Sequence, residues 1–124
     1  GLGFESSGLA AAHAVHNGLT ALPETHAFYH GEKVAFGVLT GLALTDASPQ
    51  EVQNVYAFCE NIGLPTTLDD IGLSGADKTK LMIAARKACE PQQSIHHEAG
   101  KIRPEEVLNA MLAASAIGTV RKKQ

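Results

Sequence analysis

Four of the six histidines, His13, His16, His26 and His30, stand in the first third of this 124-residue chain. Imidazole is the commonest nitrogen ligand for zinc and titrates nearest neutral pH, so chemistry is first sought there. In Gly8-Leu-Ala-Ala-Ala-His13-Ala-Val-His16-Asn-Gly18, the i, i+4, i+7 spacing of Leu9, His13 and His16 puts both imidazoles on one face of a predicted helix. The surrounding alanines let that helix approach a partner closely. A catalytic zinc takes three protein ligands and leaves one position open. His13 from this helix and His30 from the start of the next suit such a site where the two elements pack. His16 is either a third ligand or a group beside the metal that orients a ligand or handles a proton. His26, on the intervening loop, reads as a surface or rim residue.

From spacing alone this signal is weak. An H-x-x-H pair on a helix arises more often from capping, hydrogen bonding or chance, and the stronger HExxH pattern is absent. No Ser/His/Asp or Cys/His order stands out. Gly1-Leu-Gly-Phe lacks the strand–turn–helix setting of a phosphate-binding loop, and His96-His97 reads as a solvated loop pair. Residue types and spacing stop at a divalent metal site, with no substrate named.

The elements that would position these groups are all helical. The pattern predicts a helix over 7–17 stopped by Asn17-Gly18, a loop to Tyr29 with Pro23 in it, and a helix from Glu32 to about Thr45. That second helix is apolar all round in its middle, which marks a buried, central element. Ser48-Pro49-Gln50-Glu51 opens a third helix with a capping box, a stripe of Val52, Val55, Tyr56 and Cys59, and an end at Gly63 and Pro65. Thr67 is expected to cap a short turn through Asp69 and Asp70. A fourth helix over 74–89 turns Leu81, Ala84, Ala85 and Ala88 inward and closes at Pro91. After a polar connection to Arg103, Pro104-Glu105-Glu106 opens the last helix, whose stripe of Val107, Ala110, Met111, Ala114 and Ile117 ends before Gly118. No alternating strand pattern is present. The expectation is one all-α domain, residues 1–124, folded as a helical bundle.

Composition narrows the function further. A net charge of −3 argues against a polyanionic partner, and Arg121-Lys122-Lys123 reads as a solvated C-terminal tail, so nucleic acid is not expected. Cys59 and Cys89 make neither a CxxC pair nor a disulfide framework and are expected as reduced, buried thiols. The longest apolar stretch, Val34 to Leu44, is too short to cross a bilayer, and no basic segment precedes an apolar run at the start. A cytoplasmic protein without a membrane partner is the expectation. Gly1-Leu-Gly-Phe-Glu-Ser-Ser-Gly8 begins without methionine and reads like the inside of a longer chain, so a processed or excised segment is expected.

Residues 1–18 and the segment His30-Gly31-Glu32-Lys33-Val34-Ala35 resemble the bacterial glycerol dehydrogenase family, within the metal-dependent (iron- or zinc-type) alcohol dehydrogenase superfamily. The likeness continues through Val55-Tyr56-Ala57-Phe58-Cys59 and Gly63 to Gly72. It implies an N-terminal α/β domain that binds NAD and a C-terminal helical, metal-binding domain of the dehydroquinate synthase-like fold, with this chain wholly in the latter. It implies His13 and His30 as ligands of zinc or another divalent metal, with a third ligand, an aspartate, upstream. Phe4 would flank substrate and nicotinamide, and His16 would stand close to the catalytic site. The implied reaction oxidises glycerol, or a similar small polyol, to dihydroxyacetone or its counterpart, with zinc as Lewis acid and NAD as hydride acceptor, in a homo-oligomeric parent enzyme. Ser7, where many relatives carry glycine, and His96-His97, in place of a single histidine followed by asparagine, depart from the family pattern. The competing reading is a non-catalytic helical metal-binding or oligomerisation module.

Overall fold

The computed structural model describes residues 5–26, 30–45, 47–73, 78–89 and 103–123; within these, the side chains of 5–11, 24 and 30 are left out of the description. Five α-helices result: α1 (Glu5–Leu19), α2 (His30–Leu44), α3 (Pro49–Ile62), α4 (Lys78–Ala88) and α5 (Pro104–Lys122). Short 3-10 turns occupy Pro23–Thr25 and Asp69–Ile71, and no strand is present among the described residues. The all-α expectation holds. α2 packs against α1, α3 and α5, and α4 closes the bundle against α1 and α5. Ala35, Phe36, Leu39, Thr40 and Leu42 of α2 are buried, while Val34, Val38 and Leu44 are half-buried and Ala43 is exposed, so the helix is central but not enclosed on every side. Leu19, Tyr56, Ile71, Leu81, Val107 and Met111 complete one contiguous core.

Local chemistry sets the boundaries. The Ser48 hydroxyl accepts a hydrogen bond from the Glu51 amide at 3.2 Å, and Pro49 follows at the first turn, where its missing N–H costs nothing. Gly63 adopts φ 79°, and its amide and that of Leu64 both return to the Cys59 carbonyl. That left-handed angle is why a glycine ends α3. The Asp70 amide donates to Thr67 Oγ1 at 3.2 Å, the expected cap of the short turn. Glu106 accepts from the Arg103 amide at 2.9 Å and starts α5. The inward residues of α4, and those of α5 as far as Ala114, are buried as their spacing requires. Residues 74–77, Pro91 and the polar connection through 102 lie outside the described residues.

Two glycines read from sequence as helix ends are helix interiors. α1 continues through Gly18 to Leu19, and α5 runs through Gly118 to Lys122. Each glycine is buried where another backbone presses on it: a Cβ at Gly18 would overlap the Ala84 carbonyl, and one at Gly118 would overlap that of Thr66. They are present because the helix approaches its neighbour too closely for a side chain. Gly118 also takes the inward place i+4 from Ala114, so Ile117 is pushed outward to 39% exposure, against the expected stripe.

The extension of α5 overturns the reading of its basic end as a solvated tail. Arg121 donates from Nε and Nη2 to the two carboxylate oxygens of Glu60, at 2.7 and 2.9 Å, and lies 5.7 Å from the Tyr56 ring centroid. Lys122 Nζ reaches Asp70 Oδ1 at 2.6 Å. Beneath them the Tyr56 hydroxyl donates to the Ala114 carbonyl at 2.6 Å in the core. Burial pushes the Asp70 carboxyl up, but hydrogen bonds from Lys122, the Thr66 amide and Thr67, with the Lys122 charge, hold it below its ordinary range. The Arg121 hydrogen bond likewise holds Glu60 down.

Two outcomes follow. Gly118→Ala gains about 1 kcal/mol of helix propensity yet should lower stability by about 3 kcal/mol, because overlap with a backbone carbonyl cannot relax; urea unfolding decides the sign. Asp70 and Glu60 have depressed folded pKa values, so their stabilisation is full above the unfolded carboxylate range and is lost as pH falls through the folded values. Asp70→Asn should therefore lower the urea midpoint at pH 7 and flatten its decline under acid.

Candidate metal site

His13 is exposed on α1 between buried Ala12 and Ala14. The small residues beside it have a direct consequence. Gly37 of α2 packs so closely that a Cβ there would stand 2.6 Å from the Ala12 carbonyl oxygen. The backbones of α1 and α2 thus touch one residue from His13. His30 is the first residue of α2, so the helix fixes its backbone; its side chain, like the whole of Phe4, lies outside the described residues. His16 is half-buried and is not without a partner. His26 is exposed after the turn Pro23–Thr25, and its ring Nε2 is 2.9 Å from the Thr20 carbonyl oxygen, which pins the loop to the end of α1. Thr25 Oγ1 secures the same loop from within, donating towards the Leu19 and Leu22 carbonyls at 2.8 and 2.9 Å. His96 and His97 are outside the described residues.

Imidazole nitrogen suits zinc, so the donor chemistry fits. The donor number does not close a shell: among the described residues no three His, Cys, Asp or Glu side chains gather to hold a metal ion. Cysteine adds nothing to it. Neither thiol is in a disulfide. Burial pushes both up, Cys89 to about 11 with help from the Glu106 and Glu105 charges, and Cys59 with help from Glu60. Both stay protonated at neutral pH, where a thiol is a poor ligand and a poor nucleophile.

An open cleft of about 390 Å³ lies where the start of α2 meets the ends of α3 and α5, lined in part by Glu32, Glu60, Gly63, Thr66, Asp70 and Lys122. It contains none of His13, His16 and His26. Sequence reasoning missed it, because it is assembled from segments far apart in the chain and no local pattern announces it. Its Glu60 and Asp70 carboxylates are already paired with Arg121 and Lys122.

No protein-family model matches the chain. A glycerol dehydrogenase of Thermotoga maritima is 53% identical over 122 residues, which cover 98% of this chain and 34% of that protein. The glycerol dehydrogenase of Pseudomonas putida is 52% identical over 118 residues, 95% of this chain and 32% of that one. The chain is a glycerol dehydrogenase homologue. It spans about one third of the length of the curated relatives it matches. The crystal structure of glycerol dehydrogenase from Schizosaccharomyces pombe superposes with a TM-score of 0.86 at 33% identity, over 92% of this chain and 30% of that one. The five-helix arrangement is therefore that of part of such an enzyme. Among the described residues no helix is long and apolar enough to cross a membrane.

Proposed function

We propose that these residues are the helical, metal-binding part of an NAD-dependent glycerol dehydrogenase. The observation that carries the reading is identity above one half to a glycerol dehydrogenase along almost the whole chain. His13 and His30 would hold a divalent cation, with zinc the metal that suits paired imidazoles. Once bound, such a cation supplies Lewis acidity towards a secondary alcohol of glycerol or a similar small polyol. The chain's own work is positional. Contact between Gly37 and the Ala12 backbone fixes α1 against α2, and with it the origin of each imidazole. Exposure of His13 leaves its ring open to a ligand from outside the bundle. His16, one turn along α1, would stand beside the reacting centre, and Phe4 would flank the substrate and nicotinamide. NAD is held mainly by protein outside these 124 residues, as is the third metal ligand, in a cytoplasmic homo-oligomer.

With two ligands of three, zinc binding by the chain is weak and turnover is absent. Zinc titration should show His13→Ala and His30→Ala each losing about tenfold or more in affinity, while His16→Ala changes it little. A loss with His16→Ala equal to that with His13→Ala would favour a self-contained metal module. Purified chain given glycerol, NAD and zinc should produce no NADH; sustained turnover would contradict the division of labour proposed here.

A further inference from the structure

Two sides of α5 are apolar. Val107, Ala110, Met111, Ala114 and Gly118 face the core and are buried. Turned about 130° from them, Ala113, Ala116, Ile117 and Val120 are all exposed. Ile117 and Val120 are two of the five large apolar side chains exposed among the described residues, Val120 to 58%. The i, i+3, i+4, i+7 spacing joins the four into one stripe, where scattered surface residues would need no explanation. A helix face that borders solvent carries polar side chains; this one carries none between Asn109 and Lys123. It has the pattern of a seam between two packed helices.

The charges on that side indicate what the second helix is. Glu105 and Glu106 stand at the start of the stripe and Lys123 at its end, all three exposed and within about 70° of its centre line. No described salt bridge uses Glu105 or Lys123, and Glu106 meets Arg103 Nε only at 3.9 Å. Such a face is its own complement when a second copy lies across it antiparallel. With Ala113 facing Ala116 of the second copy, a step towards the start of one helix is a step towards the end of the other. Glu106 then stands opposite Lys123 of the second copy, with Glu105 beside it, and a two-fold axis makes each pairing twice. Alanines at the crossing let the backbones approach, and Ile117 and Val120 pack on either side. A contact of two or three helical turns is smaller than a permanent dimer buries, so the association is weak and reversible.

We infer that this face of α5 is a contact between two copies of the chain, helix against helix and antiparallel. It gives a surface to the homo-oligomer of the proposed function but rests on α5 alone. Neither zinc binding nor turnover is read in its test, so each can fail without the other. Sedimentation equilibrium of the 124-residue chain at low salt should show monomer and dimer in exchange. Lys123→Glu sets acid against acid at both ends of the contact and should weaken the dimer about tenfold. Glu105→Lys should weaken the wild-type dimer less, yet strengthen that of Lys123→Glu. That reversal of sign is decisive: both substitutions oppose the α5 dipole, so a loss through helix stability would add. Ala116→Lys, which puts a charge at each crossing alanine, should abolish the dimer with the helical circular dichroism unchanged. A chain still monomeric at about 1 mM, as it would be if this face packs on protein outside these residues, overturns the inference. So does a dimer indifferent to Lys123→Glu or to Ala116→Lys, or one that Glu105→Lys weakens in both backgrounds.

Discussion

Backbone against backbone is the contact on which the remaining structure depends. Three glycines each face a carbonyl of a neighbouring segment: Gly37 of α2 on Ala12 of α1, Gly18 of α1 on Ala84 of α4, and Gly118 of α5 on Thr66 before the short turn. They link α2 to α1 and α1 to α4 in series, and seat the end of α5 on the loop that follows α3. A glycine inside a helix weakens it by about 1 kcal/mol relative to alanine, so these positions oppose local preference. The compensation is dispersion between surfaces in close contact, where a gap of half an ångström already forfeits much of the attraction. Around the glycines the buried residues are small, Ala12, Ala14, Ala84, Ala85 and Ala88, while Phe36, Leu39, Tyr56 and Met111 fill the space where helices diverge.

The seat at Gly118 has an electrostatic consequence at the C-terminal end of α5. Because α5 does not stop there, its last turn carries Arg121 to Glu60 and Lys122 to Asp70. Partly exposed pairs of this kind contribute little singly. Here they share a frame: Asp70 also accepts from the Thr66 amide at 3.0 Å, and Thr66 is the residue whose carbonyl meets Gly118. Ser115 adds a hydrogen bond from the Leu68 amide at 3.0 Å. The loop is thus held to α5 by packing, by the Leu68 amide on the Ser115 hydroxyl and by charge at one place. Basic residues in the last turn also meet the negative end of the helix dipole.

Much of this was readable in advance, and the exceptions have physical causes. The all-round apolar run of α2, the Ser48 cap, the Thr67 turn and the alanine stripe of α4 follow from local rules, and each is found where those rules put it. Gly18 and Gly118 were misread because glycine ends helices when the chain must turn left-handed, and also sits inside them when another backbone intrudes. Only the first use is local. The small-residue series Ala14-Gly18 and Ala110-Ala114-Gly118, at i, i+4, was the available clue to the second. Arg121 looked solvated because its partner is 61 residues away. Of the candidate site, the helix pattern put His13 on α1 and His30 at the start of α2, but nothing in it signalled the burial of Lys33, which reads in sequence as an ordinary polar residue opening a helix.

The seam between α1 and α2 inverts the usual placement of polar groups. Histidine, the residue more tolerant of burial, is the exposed one at position 13, and lysine, which ordinarily reaches water, is enclosed at position 33. Neither arrangement stabilises the bundle by itself. An exposed imidazole adds nothing to the core, and a lysine with a buried stem must keep its ammonium near water to avoid a desolvation cost. Residues that break local rules without structural gain concentrate where a ligand supplies the missing interaction. Both fall beside one interhelical contact, made possible by one glycine. Gly37 therefore matters beyond packing: it sets the distance between the two helices that carry His13 and Lys33.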